Sequence, residues 1–372
     1  MRTLVDYRPA LRTRTGVGEY VHELARALVA TGAPGDTLLL FSSSRADRLA
    51  PDVVPGATVV DRRWPVRLLN YAWHRWEWPP IESFIDAPVD VVQSLHPLLM
   101  PSRRAAQVVT IHDLDFLAHP ERTSGEIRRD YGTLARAHAA RADRIVTVSE
   151  FTASAVEQQL GIGRERITIA SPGAPDWQAR DAEPANGYIL FLGTLEPRKN
   201  LGVLLDAYSA LIAQGAPMPK LVIAGRAAPG SDEWIARASA APLRDHVELR
   251  GYVAPEDRRA LMAGAVALVM PSLMEGFGIP VVEAMTLGVP VIVSDRGSLP
   301  EVAGSAGEVF DATDAAALAA SIRRVLASPE LRGRMADAGR ARARQYTWAE
   351  TARHTREAWA EAIRARQRRR VD

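Results

Sequence analysis

Apolar residues in this chain gather into short, nearly continuous runs, and longer stretches of mixed polarity separate them. In the first half the runs are Thr3–Tyr7, Thr37–Phe41, Val89–Gln93, Val108–Ile111, Ile145–Val148 and Ile167–Ala170. In the second half they are Tyr188–Leu192, Lys220–Ala224, Val247–Leu249, Ala265–Met270 and Pro290–Val293. Unbroken Val/Ile/Leu runs of this length are what strands buried on both faces look like. Helical patterns such as Glu19–Ala30 lie between them, so strand and helix alternate, which predicts parallel sheets built from βαβ units.

The run of strands is interrupted over Ser171–Gly187, where Pro172, Gly173, Pro175, Pro184 and Gly187 stand among charged residues without periodicity. A chain of 372 residues suits two domains. The expected division is 1–178 and 179–349. The closing segment, an Ala/Arg/Glu-rich helix from Trp348 to about Arg366 that carries Trp359, is expected to pack back on the first domain as part of 350–372. The fold class is therefore α/β, with two Rossmann-like parallel-sheet domains.

Composition narrows the chemistry. Cysteine is absent, which excludes disulfides, zinc–thiolate sites, iron–sulfur clusters and thiol catalysis. Lys and Arg total 46 against 44 Asp and Glu, a net charge of +2, too balanced to imply a nucleic-acid partner. Arg8, Arg12 and Arg14 follow the first strand directly, so no leader peptide is expected, and no apolar run reaches membrane-spanning length. The expected location is the cytoplasm.

The most informative segment is Ala265–Ser294. Strand Ala265–Met270 leads into Pro271-Ser272-Leu273-Met274-Glu275-Gly276-Phe277-Gly278, and a helix is predicted from Ile279, with Pro280 at its first position, Glu283 in its first turn and Gly288 as its C-terminal cap. Gly276, Phe277 and Gly278 then sit at a helix N-terminus, where free N–H groups and the helix dipole favour phosphate. Glu275 and Glu283 could each accept two hydroxyl hydrogen bonds, one sugar ring on either side of a diphosphate. Gly193-Thr194-Leu195-Glu196-Pro197-Arg198-Lys199-Asn200 leaves another strand at its carboxyl end, the edge where open α/β sheets bind ligands. A guanidinium and an ammonium there suit a diphosphate. Gly225-Arg226 and Gly251-Tyr252-Val253 leave strands at the same edge, so four loops remote in sequence are expected to converge.

Taken together these segments resemble the retaining glycosyltransferases of family 4, which have the GT-B fold of two Rossmann-like domains facing each other across a cleft. The resemblance rests on Glu275–Glu283 as an E-x7-E pattern inside Glu-Gly-Phe-Gly-Ile-Pro-Val-Val-Glu-Ala-Met, on Gly193–Asn200, on Val293–Val302, and on Thr15-Gly16-Val17-Gly18-Glu19-Tyr20 near the start. It covers nearly the whole chain in order. It implies that Arg198 and Lys199 neutralise the donor diphosphate, that Glu283 binds the ribose hydroxyls, and that Glu275 holds the transferred sugar. It also implies that Gly276, Phe277, Gly278 and Ile279 contact sugar or phosphate through the backbone, and that the loop at Val253, beside Gly225 and Arg226, receives the base.

In the first half, Gly16-Val17-Gly18 lacks the third glycine of a dinucleotide fingerprint and reads as a close-approach loop beside donor or acceptor. His112 and Asp113 follow strand Val108–Ile111, and the resemblance suggests that His112 contacts the donor sugar or stabilises charge developing there. Asp113, His96 and Glu150 are acceptor-side candidates. The stretch Arg62–Trp78 mixes arginines with Trp64, Trp73, Trp76 and Trp78, a composition suited to a membrane interface or to a glycan or lipid-linked acceptor.

The sequence thus points to a retaining, nucleotide-sugar-dependent hexosyltransferase. The pattern around His112-Asp113-Leu114 and Leu195–Asn200 looks like bacterial mannosyltransferases of surface-polysaccharide pathways, which implies GDP-mannose as donor and a glycan or lipid-linked oligosaccharide as acceptor. A GDP- or dTDP-linked deoxyhexose such as rhamnose is the alternative donor. An epimerase or phosphorylase on the same fold, and a non-catalytic sugar-nucleotide-binding protein, are the rival classes. No cofactor and no metal are expected, because Arg198 and Lys199 supply the positive charge. Asp113-Leu114-Asp115 is the one Asp-x-Asp pair at a strand end.

Overall fold

The computed structural model describes residues 1–11, 14, 16–120, 131–215 and 217–371, the last two of these by backbone alone. Arg12 and Thr15 of the first loop and the side chain of Arg370 lie outside the described residues. The chain divides into two compact units, Met1–Gly173 with Thr347–Asp372, and Ala174–Tyr346.

The first unit holds β1 (Arg2–Asp6), β2 (Thr37–Ser43), β3 (Thr58–Arg62), β4 (Val91–Ser94), β5 (Ala106–Ile111), β6 (Arg144–Thr147) and β7 (Ile167–Ile169). They form one sheet in the order β3-β2-β1-β4-β5-β6-β7. All of its pairings are parallel. The second unit holds β8 (Tyr188–Leu192), β9 (Leu221–Ala224), β10 (Val247–Gly251), β11 (Ala265–Met270), β12 (Val291–Ser294) and β13 (Glu308–Phe310), again all parallel, in the order β10-β9-β8-β11-β12-β13. The fold class is therefore α/β with two Rossmann-like sheets, as the unbroken apolar runs predict. Residues of β5, β11 and β12 are buried without exception. Two edge strands, β3 and β13, were not expected. Both are short and bury one residue each, so their apolar signal is weak.

The strand order reverses direction between β1 and β4 in the first sheet and between β8 and β11 in the second. Beyond the carboxyl ends at such a switch point the flanking loops diverge and leave a crevice. In the second unit this puts Gly193–Asn200 and Pro271–Gly278 side by side. In the first it brings Asp6–Arg8 next to His96.

The long final helix, Trp348–Val371, belongs to the first unit. Its buried Trp359 donates Nε1–H to Gln93 Oε1 at 2.7 Å, and Gln93 in turn donates to Thr110 Oγ1 at 2.9 Å, so an amide on β4 is satisfied from both sides. Thr351 Oγ1 donates to the Ser171 carbonyl at 2.6 Å, and Arg356 reaches the Leu28 carbonyl at 2.6 Å. Among the described residues no helix is long and apolar enough to cross a membrane.

Candidate functional site

The second unit gathers the charged residues of two loops into one cluster. Lys199 Nζ lies 2.6 Å from Glu275 Oε1, and Arg198 Nη1 lies 3.5 Å from Glu275 Oε2. Ser272 Oγ donates to Glu275 Oε1 at 2.7 Å. Arg198 is also held by Glu196, Nε to Oε1 at 2.7 Å, and by the Met274 carbonyl at 3.2 Å. Burial pushes the Glu275 carboxyl up, but the Lys199 and Arg198 charges and the two hydrogen bonds outweigh it, so Glu275 is held below its ordinary value and stays ionised.

Backbone contacts fix the two loops to each other. The Leu273 N–H donates to the Arg198 carbonyl at 2.8 Å. Asn200, in a left-handed conformation with φ 54°, ties its amide to the Pro271 and Ala312 carbonyls at 3.0 and 2.8 Å. A third segment closes behind them. Gly297 has φ 63°, and a Cβ there would stand 2.7 Å from the backbone N and O of Glu275, so only glycine permits the approach. Ser298 Oγ then donates to the Glu275 and Phe277 carbonyls at 3.1 and 2.8 Å. Ser298 and Gly297 were not singled out in the sequence as site residues, although they lie within the Val293–Val302 resemblance.

Gly276, Phe277 and Gly278 are buried immediately before the helix Ile279–Leu287, whose N-terminus has no side-chain cap and lies against the Glu275 loop; Pro280 has no N–H, and the Val281 N–H donates to the Gly278 carbonyl at 2.9 Å. Phe277 packs edge-on against Tyr346, ring centroids 5.3 Å apart. Gly288 caps the helix in the left-handed conformation, as expected. Two details differ from the sequence reading. The helix begins at Ile279 as predicted, which makes Pro280 its second residue and Glu283 its fifth, beyond the first turn. Glu283 is held by the side chain of Arg258. Its Oε1 accepts from Arg258 Nη1 at 2.7 Å, and its Oε2 is buried without a hydrogen-bond partner. Burial raises the Glu283 carboxyl above its ordinary value, opposed by Arg258. Arg258 carries no motif, so the sequence did not reveal it.

The other two loops leave the same sheet edge. The Gly225 N–H donates to the Gly251 carbonyl at 2.7 Å, and a Cβ on Gly225 would overlap the Gly193 carbonyl. Arg226 is exposed, with its guanidinium 5.8 Å from the ring centroid of Tyr252, next to half-buried Val253.

The first unit assembles a different cluster. At the end of β1, Asp6 is fully buried and accepts from Arg8 through both carboxylate oxygens, at 2.8 and 2.7 Å. Arg8 also donates to Asn70 Oδ1 at 2.7 Å and stacks over Trp73 at 4.9 Å. His96 Nε2 lies 3.0 Å from Asp6 Oδ2, while its Nδ1 accepts the Leu98 N–H at 3.2 Å. A carboxylate on one ring nitrogen and an N–H on the other assign the Nε2–H tautomer, with both nitrogens occupied. Burial pushes Asp6 up, but Arg8 and His96 overcome this and hold it well below the usual carboxylate range.

His112 follows β5, with Nε2 3.3 Å from the Leu95 carbonyl and its ring edge-on to Tyr20 at 4.9 Å. The carbonyl requires the proton on Nε2, which leaves the lone pair on Nδ1. Burial lowers the imidazole to about 4 against the Leu95 hydrogen bond, so it is neutral at neutral pH. Asp113 Oδ1 accepts the Asp115 N–H at 3.1 Å, a local turn bond. Gly16 precedes the helix Val17–Ala30, and Gly18 packs so closely on the Pro9 carbonyl that a Cβ would stand 2.8 Å from its oxygen. Glu150 is exposed, paired with Arg164 at 2.6 Å.

The tryptophan-rich stretch divides. Trp73 is buried, with Nε1–H on the Pro79 carbonyl at 2.8 Å, and is removed from any surface role. Trp64, Trp76 and Trp78 are exposed by 44%, 67% and 55%, with Leu68 and Tyr71 beside them. The exposed residues of the helix Val66–Trp76 thus include Leu68, Tyr71 and Trp76 alongside Arg67 and Arg75.

Comparison with known proteins gives these sites a context. Residues 14–176 match Glycosyltransferase Family 4, and residues 176–342 match Glycosyl transferases group 1. The chain is 32% identical to O-antigen chain mannosyltransferase B of Escherichia coli, over 94% of this chain and 96% of that protein. It is 30% identical to MMP alpha-(1->4)-mannosyltransferase of Mycolicibacterium hassiacum, over 64% of this chain and 59% of that protein. Among solved structures, sucrose-phosphate synthase from Thermosynechococcus elongatus superposes with a TM-score of 0.77 at 18% identity, over 96% of this chain and 98% of that one, which shows the shared fold.

Proposed function

The chain belongs to the family 4, group 1 glycosyltransferases and is a hexosyltransferase, and we propose that it transfers mannose from GDP-mannose, with retention of configuration, onto a glycan or lipid-linked oligosaccharide. The observation that carries this reading is the Arg198–Lys199–Glu275 cluster at the switch point of the second sheet, beside a helix N-terminus. Two cations and a helix N-terminus without a side-chain cap suit a diphosphate, and a buried ionised carboxylate between them suits sugar hydroxyls. The name of the Escherichia coli relative, matched almost end to end, supports mannose and a surface-polysaccharide acceptor.

In this reaction the bond between the anomeric carbon and the β-phosphate oxygen breaks, and its electron pair stays on the phosphate. Arg198, Lys199 and the N–H groups ahead of Ile279 stabilise that charge, a preorganised contribution of several kcal/mol. The acceptor hydroxyl oxygen bonds to the anomeric carbon on the face the phosphate leaves, and its proton passes to the phosphate oxygen. No covalent enzyme nucleophile takes part. Glu275 orients the hexose and Glu283 the ribose. His112, neutral and with Nδ1 available, is suited to accept a sugar hydroxyl proton in a hydrogen bond. Val253, Gly225 and Arg226 border the base. His96, with both ring nitrogens engaged, is suited to shape the acceptor side and not to take a proton, and Asp113 and Glu150 complete that side. The charge on Arg198 and Lys199 does the work of a cation, so turnover is independent of metal. Exposed Trp64, Trp76 and Trp78, interleaved with arginines, favour peripheral contact with the inner face of the cytoplasmic membrane.

A panel of nucleotide sugars, read by thermal shift and by slow release of nucleotide, tests the donor. GDP-mannose is expected to give the largest stabilisation and to release GDP. A larger response to a GDP- or dTDP-deoxyhexose would replace mannose with a rhamnose-type sugar. The anomeric configuration of the product decides retention, and activity abolished by a chelator and restored by magnesium would contradict metal independence.

A further inference from the structure

Glu283 has one oxygen engaged and one open. Oε1 accepts from Arg258 Nη1 at 2.7 Å, and Oε2 is buried with no hydrogen-bond partner. The residue is only 3% exposed. A buried carboxylate oxygen without a donor is costly unless something supplies one. Arg258 is the fourth residue of the helix Pro255–Ala263, which starts just after the Gly251–Val253 loop. Two helices that leave neighbouring parts of the sheet edge thus meet through this ion pair. Without it, burial favours the protonated acid, which gives away one acceptor site and points a proton at whatever faces it.

We propose that Arg258 is a positioning residue for the donor site: it fixes the Glu283 rotamer through Oε1, so that Oε2 presents its lone pairs to the vicinal hydroxyls of the nucleotide ribose. Arg258 acts through Glu283 and touches no donor atom. The inference rests on the reading above that Glu283 faces the ribose. It adds a reason for the open oxygen: a monodentate clamp on Oε1 leaves Oε2 able to accept two hydrogen bonds.

The test compares nucleotides that differ only in the ribose hydroxyls. GDP and 2′,3′-dideoxy-GDP, and in parallel UDP and 2′,3′-dideoxy-UDP, are titrated calorimetrically into the wild type, Arg258→Met, Arg258→Lys and Glu283→Gln. The wild type is expected to prefer the ribonucleotide by about tenfold to a hundredfold, the strength of hydrogen bonds to a charged acceptor. In Arg258→Met that preference is expected to shrink to roughly threefold or less, with affinity for the dideoxy nucleotide unchanged. The donor KM should rise while kcat holds, and Arg258→Lys should restore part of the preference. Equal loss of both nucleotides in Arg258→Met and Arg258→Lys, or an undiminished preference, would overturn the role of Arg258. An undiminished preference in Glu283→Gln would instead overturn the ribose assignment of Glu283. Binding of the uridine pair alone would correct the base and leave the test of Arg258 intact.

Discussion

The two sheets share one topology and place an ion cluster at the same topological point, yet the clusters are built for different ends. At the β1/β4 switch point, Asp6 is sealed in the core, and Arg8 spends its donors on Asp6 and Asn70 and its face on Trp73. Both nitrogens of His96 are engaged as well. This cluster is a weld. At the β8/β11 switch point two carboxylates, Glu196 and Glu275, meet two cations, the partly accessible Arg198 and the buried Lys199, and the helix N-terminus that follows is uncapped by any side chain. The uncapped helix N-terminus beside that cluster is what gives it room for an anion. The comparison teaches that topology fixes where charge can be concentrated, while what adjoins the ion cluster, a closed aromatic packing or an uncapped helix N-terminus, decides between structure and binding.

The comparison can be broken most forcefully at Asp6. Asp6→Ala leaves the Arg8 guanidinium buried without its counter-ion and is expected to cost about 3–5 kcal/mol of stability by chemical denaturation. A loss below about 1 kcal/mol would refute the weld. Next in size, Lys199→Ala is expected to lower kcat by roughly 10²–10³-fold while the unfolding midpoint hardly moves. A large stability loss with normal turnover would reverse the roles assigned to the two clusters. Glu275→Gln should reduce turnover more than affinity for free GDP, since the carboxylate serves the sugar, and an equal loss in both would put it on another part of the donor.

A smaller effect separates the units by pH. Burial lowers His22, His74, His112 and His138, all in the first unit, to about 4. An imidazole with a folded value below its unfolded one binds its proton more readily in the unfolded chain. The stability it contributes is therefore present above about pH 6.5 and drains away as pH falls toward 4. Asp6, depressed in the fold, adds stability that is lost only at still lower pH. Acidification followed by hydrogen exchange should open the first unit before the second, and simultaneous opening would count against this. The smallest effect belongs to the surface. Trp76→Ala should change stability by less than about 0.5 kcal/mol while weakening adsorption to anionic vesicles several-fold. Unchanged adsorption would remove the membrane contact.

Much of this is legible in the sequence. The parallel sheets follow from apolar runs too continuous for one exposed face, and the second cluster follows from two contiguous motifs at strand ends. What escaped notice lacks such contiguity. Asp6, Arg8 and Asn70 meet only because β1 leads into a short turn beneath the helix Val66–Trp76. Arg258 is one arginine among many on a polar helix, and only the fold shows it against Glu283. By composition Trp73 groups with its exposed neighbours, although its spacing of four from buried Leu69 marks the inner face of the helix. The edge strands β3 and β13 carry too few buried residues to register. The helix Ile279–Leu287 starts where the sequence predicts, and counted from Ile279 Glu283 is its fifth residue, outside the first turn.

The central claim is that the β8/β11 switch point grips the donor diphosphate. Hydrogen exchange of the full chain with and without saturating GDP-mannose tests it most directly. Slowed exchange concentrated in 193–200 and 272–283 is the predicted result. Unchanged exchange in both segments, with the donor demonstrably bound, would contradict it.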